Sequence, residues 1–476
     1  CYSCKQGRSS IMLSLLEKEL ALLENSSQQA FPPESIIPIL QRCRKEKSHV
    51  FAHRFHACIR RMGLETNISL GPHLLLMLVD VGNMQDAQCI FDTLPHKKED
   101  LWNSLISGYA KQGELQRAIA HYQKMQEESV HPSSHTFVPL LNACAKLKDA
   151  KRGQEMHLEV SRKGLEKSIH VGCTLVDMYV KCDLMSKAQE VFDELPARNV
   201  VAWNSLISGY ARLGFAKEAL NCYEQMRVDG ISPTAITYVC ILKACGSIGA
   251  LDKGTYVHSQ ISTKNMEGDL YVGSALVDMY ANLGLLMKAR DAFEKLTAHD
   301  IVSWTSLIGG YSKHGHGAEA LNCFKQMQLE GMSPNTYTFV CSLKACSCIG
   351  AITDGEQLHA SIAAEDSDRN LFVGSALVDM YANNGFVMEA QEVFENLPKR
   401  DIVSWNALIT GFVKHGYSKE ALKGYERLKV EHFLPNKVTF LSSLKACGIV
   451  GDFEKGREIH ADIDRSGLMI DLVVGS

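Results

Sequence analysis

Eighteen histidines and sixteen cysteines are the residues of this 476-residue chain with the most chemistry to offer. His157-Leu158-Glu159 has the H-x-E form in which a histidine binds zinc and a glutamate shuttles protons. No P-C-x-x-C follows it. At each 101-residue step the histidine is kept, while Cys58, Gln260, Ser361 and Asp462 take the glutamate's place. Cys1-x-x-Cys4 stands alone at a terminus and Cys346-x-Cys348 brings no further ligands, so neither makes a zinc site. A P-loop, a glycine-rich dinucleotide turn and a nucleophile elbow are missing as well. These residues therefore carry no enzyme and call for no cofactor, and the chemistry left is binding.

The same residue types disclose the organisation. Cys43, Cys144, Cys245, Cys346 and Cys447 stand 101 residues apart, as do His56, His157, His258, His359 and His460 and all four tryptophans, Trp102, Trp203, Trp304 and Trp405. A long period of fixed length marks a repeat array, in which the question is what a repeated surface binds. With Cys222, Cys323, Cys240 and Cys341, nine cysteines fall at recurring positions. Cysteine that recurs with a helical frame reads as buried packing in a reducing compartment rather than as a disulfide partner. The 46% hydrophobic and 22% charged content is that of a packed globular chain, and a net charge of −4 gives no basic footprint over the whole. Any nucleic-acid surface has to be a local stripe. No apolar run reaches the roughly 18 residues of a membrane span.

Each step divides into helical hairpins of 35, 31 and 35 residues. In 200–234, Trp203, Leu206, Ile207 and Tyr210 make one apolar face at helical spacing, and Gly214 interrupts it. Ala219, Leu220, Tyr223 and Met226 make a second face, closed by Gly230 and Pro233. Two such helices cannot bury both faces alone, but stacked neighbours do it for them. This frame recurs at 99–133, 301–335 and 402–436. A second 35-residue type, bearing the Cys and His series, fills 33–67, 134–168, 235–269, 336–370 and 437–471, and a 31-residue type fills 68–98, 169–199, 270–300 and 371–401. The expectation is an all-α solenoid superhelix of thirteen stacked helix-turn-helix repeats over 33–471. Residues 1–32 precede it as a cap or linker with one amphipathic helix, Met12–Glu24, and 472–476 open a further repeat. Starting at Cys1 and stopping inside a repeat, the chain reads as a piece of something longer.

WNSLISGYAKQG, VGSALVDMYA, SLKACSCIGAITDGEQLH and the repeat ending MQLEGMSPN resemble plant pentatricopeptide-repeat (PPR) proteins. The alternating 35-35-31 lengths resemble the PLS subclass, with the tryptophan repeats as P, the Cys/His repeats as L and the short ones as S. The resemblance covers residues 33–476. It implies binding of single-stranded RNA, one base per motif, in a mitochondrion or chloroplast, with the mitochondrion favoured. It also implies a specificity factor for C-to-U editing of an organellar transcript, with the catalytic domain outside these residues or a deaminase or editing cofactor protein supplied in trans. The alternatives are a stabilisation, processing or splicing factor without deamination, and a protein-binding scaffold of the tetratricopeptide kind.

In that family the fifth and last residues of a motif face one base edge. The P repeats carry Asn103, Asn204, Thr305 and Asn406 at the fifth position and end on Ser133, Thr234, Asn335 and Asn436. The S repeats carry Pro72, Cys173, Ser274 and Ser375 and end on Lys98, Asn199, Asp300 and Asp401. Both positions vary while the Trp, Gly and Leu around them do not. An ionised Asp only accepts, which suits the ring N–H of G and U, whereas Asn or Ser can donate to the ring nitrogen of A and C. The family pattern adds Ser or Thr for purines and Asn for pyrimidines. Asn103/Ser133 then favours C, Cys173/Asn199 A, Asn204/Thr234 a pyrimidine, Ser274/Asp300 G, Thr305/Asn335 A, Ser375/Asp401 G and Asn406/Asn436 a pyrimidine. Pro72/Lys98 makes no readable pair and is expected to be a spacer, and the apolar Val138, Val239, Val340 and Leu441 of the L repeats leave their bases open. On the family's parallel polarity the target resembles 5′-C-N-A-Y-N-G-A-N-G-Y-3′. The competing structural reading makes these residues helix caps and turn formers.

Two further series complete the surface. Val201, Val302 and Val403, with Tyr271 and Phe372, hold the second position, where the family wedges apolar side chains between bases. Asp100 breaks that series, and core packing is its alternative role. Lys111, Arg212, Lys313 and Lys414 recur late in the first helix of P repeats, joined by Lys181 of one S repeat. They form a phosphate stripe or, alternatively, solvated surface charge.

Overall fold

The computed structural model describes residues 15–24, 32–46, 48–364 and 370–466. Its contacts divide the chain into an N-terminal half, Cys1–Ser232, and a C-terminal half, Pro233–Ser476. Among the described residues every regular element is an α-helix. Each half is an α-solenoid of helix-turn-helix repeats, with a helix A and a helix B in every repeat. In the C-terminal half, for example, helix A spans Leu270–Asn282, Ile301–Lys313 and Thr336–Ile349 in three successive repeats, and helix B spans Leu286–Glu294, Gly317–Leu329 and Ile352–Ala364. Helix B of the 31-residue type has only 9 or 10 residues against 13 in the P repeats, which is where most of the missing length has gone.

The turn between helices A and B of each P repeat needs a backbone that reverses without a Cβ. Gly113, Gly214, Gly315 and Gly416 provide it with φ of 84°, 84°, 81° and 87°. Within each half, successive A helices lie side by side, and each B helix touches its own A helix and the next one along.

Aromatic pairs join neighbouring repeats. The four tryptophans are no more than 2% exposed. Each takes the edge of a phenylalanine from helix B of the preceding S repeat: Phe91–Trp102, Phe192–Trp203, Phe293–Trp304 and Phe394–Trp405, at centroid distances of 4.6, 4.6, 4.5 and 4.5 Å. Such edge contacts add about 0.5–1.5 kcal/mol to the area they bury.

The histidine series joins L to S repeats. His157, His258 and His359 bond through Nδ1 to the hydroxyls of Tyr179, Tyr280 and Tyr381 at 2.8, 2.7 and 3.0 Å. His258 also meets Glu267 at 3.0 Å, and His56 lies between Glu65 and Asp86 at 2.8 and 3.3 Å. Glycine leaves room beside this joint for the Met279 thioether, whose sulfur would stand 2.5 Å from a Cβ on Gly254 and would have to shift. The H-x-E histidine is thus a structural tie, and among the described residues no group of side chains is arranged to hold a metal.

Cys43, Cys144, Cys245 and Cys346 are fully buried free thiols, and burial pushes them up to about 11 for Cys43 and Cys245 and about 12 for Cys144 and Cys346. They are inert packing, as expected for cysteine in a helical frame. The Cys1 and Cys4 pair lies outside the described residues. Helix 15–24 buries Leu16, Leu20 and Leu23 and ties Glu19 to Arg42 and Glu24 to Arg54, so it closes the first repeat's exposed side. No described helix is long and apolar enough to cross a membrane.

Candidate nucleic-acid interface

Helix A begins on the first residue of all eleven repeats from Glu99 and Ser134 to Ile402 and Lys437, so the last residue of each preceding repeat is its N-cap. An N-cap side chain accepts the backbone N–H groups that the first helical turn leaves unpaired. Asn199 accepts from Val201 and Ala202 at 3.0 Å each, and Asp300, Asn335 and Asp401 accept from Ser303, Thr338 and Ser404 at 2.8 Å. Asn436 accepts from Val438 and Thr439 at 3.0 and 3.2 Å, and Ser133 from His135 at 3.2 Å. Thr234 caps the next helix in the C-terminal half through a capping box with Thr237.

Capping occupies only one of the two terminal side-chain atoms. In Asn199, Asn335 and Asn436, as in Asp300 and Asp401, the cap consumes Oδ1. The second terminal atom stays available, and these residues are partly or fully exposed. That atom is an amide donor in the asparagines and a carboxylate acceptor in the aspartates. One position therefore offers opposite hydrogen-bond polarity on a common scaffold.

The fifth residues lie deeper. Asn103, Cys173, Ser274, Thr305 and Ser375 are 5–8% exposed, and Asn204 and Asn406 are partly exposed. Three of them touch the last residue of their own repeat: Cys173 Sγ donates to Asn199 at 3.4 Å, Ser375 Oγ to Asp401 at 3.3 Å, and Asn406 Nδ2 to Asn436 at 3.1 Å. Two more connect through a threonine. Thr136 Oγ1 donates to Asn103 at 2.6 Å and accepts the Ser133 N–H at 3.1 Å. Thr338 Oγ1 meets Thr305 Oγ1 at 2.9 Å and donates to Asn335 at 2.9 Å. Ser274 keeps a buried hydroxyl with no partner in the chain. Asn204 lies in the N-terminal half and Thr234 in the C-terminal half. In the five connected pairs the fifth residue forms the floor and the last residue the rim.

The second residues are not core. Val201, Tyr271, Val302, Phe372 and Val403 are 56–74% exposed. Ile236, Tyr337 and Val438 of the L repeats are exposed at the same position, so in the C-terminal half every described repeat presents an apolar or aromatic side chain there. Sequence reading passed over these three, although their register was available. A groove of about 570 Å³ brings Val302, Thr305, Asn335, Lys313 and Tyr337 together. Its neighbour, about 650 Å³, brings together Phe372, Ser375, Asp401, Val403, Asn406 and Asn436. In the N-terminal half Asn103 and Lys111 line a similar groove of about 580 Å³.

The basic series is uneven. Lys181 forms an ion pair with Asp177 at 2.7 Å, and Arg212 with Asp183 at 2.7 Å. Lys313 and Lys414 instead bond to the amide oxygens of Asn282 and Asn383 at 3.3 and 3.4 Å. Exposed Lys243, Lys344 and Lys445, at the ninth position of L repeats, form a second series unrecognised in the sequence, and Lys344 lines both C-terminal grooves. Asp278 and Asp379 sit among these cations. Burial raises both carboxyls, opposed by Lys243 and Lys313 at Asp278 and by Lys344 and Lys414 at Asp379.

Comparison with known proteins gives a consistent picture. A sequence profile described as the PPR repeat family matches residues 97–146, 198–247, 299–348 and 400–448, and one described as the PPR repeat matches 173–200 and 375–402. A chloroplastic pentatricopeptide repeat-containing protein of Arabidopsis thaliana is 34% identical over 86% of this chain and 66% of its own length. A mitochondrial one from the same plant is 31% identical over 95% of this chain and 50% of itself. The chloroplastic Arabidopsis protein DOT4 is 33% identical over 96% and 52%. The chain thus spans about half to two thirds of the length of these curated relatives. A crystal structure of PPR10 from maize aligns with a TM-score of 0.45 at 18% identity, covering 98% of this chain and 89% of that one. PPR10 in complex with an 18-nt psaJ RNA element aligns at 0.40 and 17%, covering 98% and 78%.

Proposed function

Because this chain belongs to the pentatricopeptide repeat family, we propose that it binds single-stranded RNA and selects bases through the fifth and last residues of its P and S repeats. The observation that carries the reading is the division of labour at the caps. Oδ1 holds the helix, and the second atom is a donor in Asn335 and Asn436 but an acceptor in Asp300 and Asp401. A base of the wrong edge polarity leaves a polar group unpaired, and that penalty discriminates. Tyr271, Val302, Phe372 and Val403, exposed beside these sites, supply faces for stacking. The target is 5′-C-N-A-Y-N-G-A-N-G-Y-3′. Fluorescence anisotropy with the RNA 5′-CUACUGAUGC-3′ should give micromolar or tighter binding. Exchanging its G and A positions should weaken that binding at least tenfold, and equal affinity for the two RNAs would rule the reading out in favour of a protein-binding scaffold.

The 35-35-31 alternation supports membership of the PLS subclass and with it a role in directing C-to-U editing of an organellar transcript. Relatives named chloroplastic and mitochondrial support an organellar site of action. Deamination itself is assigned to residues outside this chain or to a partner. Cells lacking the protein should retain an unedited cytidine near a sequence of this form. A transcript that is edited normally but lost or misprocessed would instead identify a stabilising or processing factor.

A further inference from the structure

The C-terminal half carries the same unusual arrangement twice: a half-buried acid in the middle of a groove otherwise suited to a polyanion. Asp379 Oδ1 accepts Asn383 Nδ2 at 2.9 Å, one helical turn on, and Oδ2 accepts Ser347 Oγ at 3.4 Å. With its nitrogen committed, the Asn383 amide presents its oxygen to the next repeat. There Lys414 Nζ donates to Asn383 Oδ1 at 3.4 Å and to its backbone carbonyl at 3.0 Å. Asp278 repeats the pattern 101 residues earlier, hydrogen-bonded by Asn282, whose Oδ1 receives Lys313 Nζ at 3.3 Å. Neither lysine makes an ion pair with the acid; each is held close by way of a neutral amide. The N-terminal half lacks the device. Lys181 stands where Asn282 and Asn383 do and closes directly onto Asp177, while Arg212 is taken by Asp183 and the Val180 carbonyl, each at 2.7 Å.

A carboxylate in a phosphate-binding groove would ordinarily be a liability, since like charges repel and its own burial is unfavourable. An amide relay resolves this. It fixes the ammonium without consuming its charge, so the lysine arrives ordered and still able to pair with a phosphate. We propose that Asp278 and Asp379 are positioning residues, acting through Asn282 and Asn383 to hold Lys313 and Lys414 ready for RNA phosphates. This makes the two S–P junctions of the C-terminal half the main phosphate grips of the chain. The proposal rests on the RNA reading above.

Charge counting and positioning predict opposite results. Removing an acid from the groove should tighten RNA binding by charge alone; removing a positioning residue should weaken it. Asp379→Leu is a suitable change, because Leu76 occupies the equivalent place in the 68–98 repeat. With the RNA 5′-CUACUGAUGC-3′ and the whole chain, Asp379→Leu and Asn383→Ala should each weaken binding about five- to tenfold and flatten the log–log salt slope by about 0.7. In a Lys414→Ala background Asp379→Leu should have no further effect. Binding by Asp379→Leu as tight as or tighter than the unaltered chain, or an undiminished loss in the Lys414→Ala background, would overturn the proposal. Should Asp379→Leu lose its cooperative melt, Asn383→Ala, which keeps the acid, decides by the same criteria. An unaltered chain that fails to bind the RNA at all overturns the RNA reading, and this proposal with it.

Discussion

Changing Asn335 to Asp separates reading from folding at a single atom. The cap is preserved, because Oδ1 still accepts the Thr338 N–H now held at 2.8 Å, and Asp and Asn cap about equally well. Tm should therefore move little. At the rim, however, a donor becomes an acceptor. Opposite the ring nitrogen of adenine, itself an acceptor, one hydrogen bond is lost and two lone pairs oppose each other, at a cost of about 1.5–3 kcal/mol. At about 1.4 kcal/mol per decade that is a loss of roughly ten- to a hundredfold in affinity. Guanine, with a ring N–H in the same place, should gain. Adding Thr305→Asn should move the preference on to U, and the frame accommodates it, because Asn103 and Asn406 already receive Thr136 and Thr439 at 2.6 Å in the equivalent positions. Anisotropy titrations against four RNAs differing only at the seventh base of 5′-CUACUGAUGC-3′ measure the shift. An unchanged preference for A in a fully folded variant would refute the division of the cap into a holding atom and a reading atom.

Other outcomes follow from the same geometry. Tyr271→Ala and Phe372→Ala, both exposed, should each cost about 1–3 kcal/mol of RNA binding with an unaltered thermal melt, whereas Trp304→Ala, buried against Phe293, should cost about 3–5 kcal/mol of stability by chemical denaturation. Arg212→Ala should weaken RNA binding less than Lys414→Ala, since Arg212 is closed in an ion pair with Asp183. Hydrogen bonds from Ser262 and Lys295 hold the Glu267 carboxyl down, at about 2 against an ordinary 4.5. A depressed carboxyl contributes stability above its unfolded pKa and loses it as pH falls through the folded value. Glu267→Gln should thus be less stable than the unaltered chain at pH 7 and converge with it between pH 4.5 and about 2, as urea denaturation across that range would show.

How much of this was legible in the sequence depends on whether a residue acts within its own repeat or across a boundary. The period announced Trp203 and Gly214 as fixed points, and spacing alone gave the two helices of each repeat. It did not give Phe192 as the tryptophan's partner, because that contact crosses from one repeat to the next. The caps looked like a choice between structure and recognition at Asn335 or Asp401. Only coordinates show one oxygen occupied and the other terminal atom left over. Asp379, inside the apolar string ALVDMYA, reads as an ordinary polar position of a packed helix. Its meaning comes from Lys344 and Lys414, brought in from the repeats on either side. The same limitation applied to Arg212, whose partner Asp183 lies in the preceding repeat, whereas Asp177 and Lys181 stand one helical turn apart in one repeat and could have been paired from that spacing. Ile236, Tyr337 and Val438 were a different matter: they stand in the register of Tyr271 and Val302 and could have been found by extending that position to the L repeats.

The central claim, that side chains at the caps sort nucleobases, is tested most directly by selecting RNAs from a random single-stranded pool with the whole chain and sequencing those retained. The account predicts enrichment of 5′-C-N-A-Y-N-G-A-N-G-Y-3′, with G strongest at the two positions assigned to Asp300 and Asp401 and no base favoured opposite the L repeats. A retained pool with no preference at those two positions, or one whose preferences fall in a different register from the caps, would contradict it.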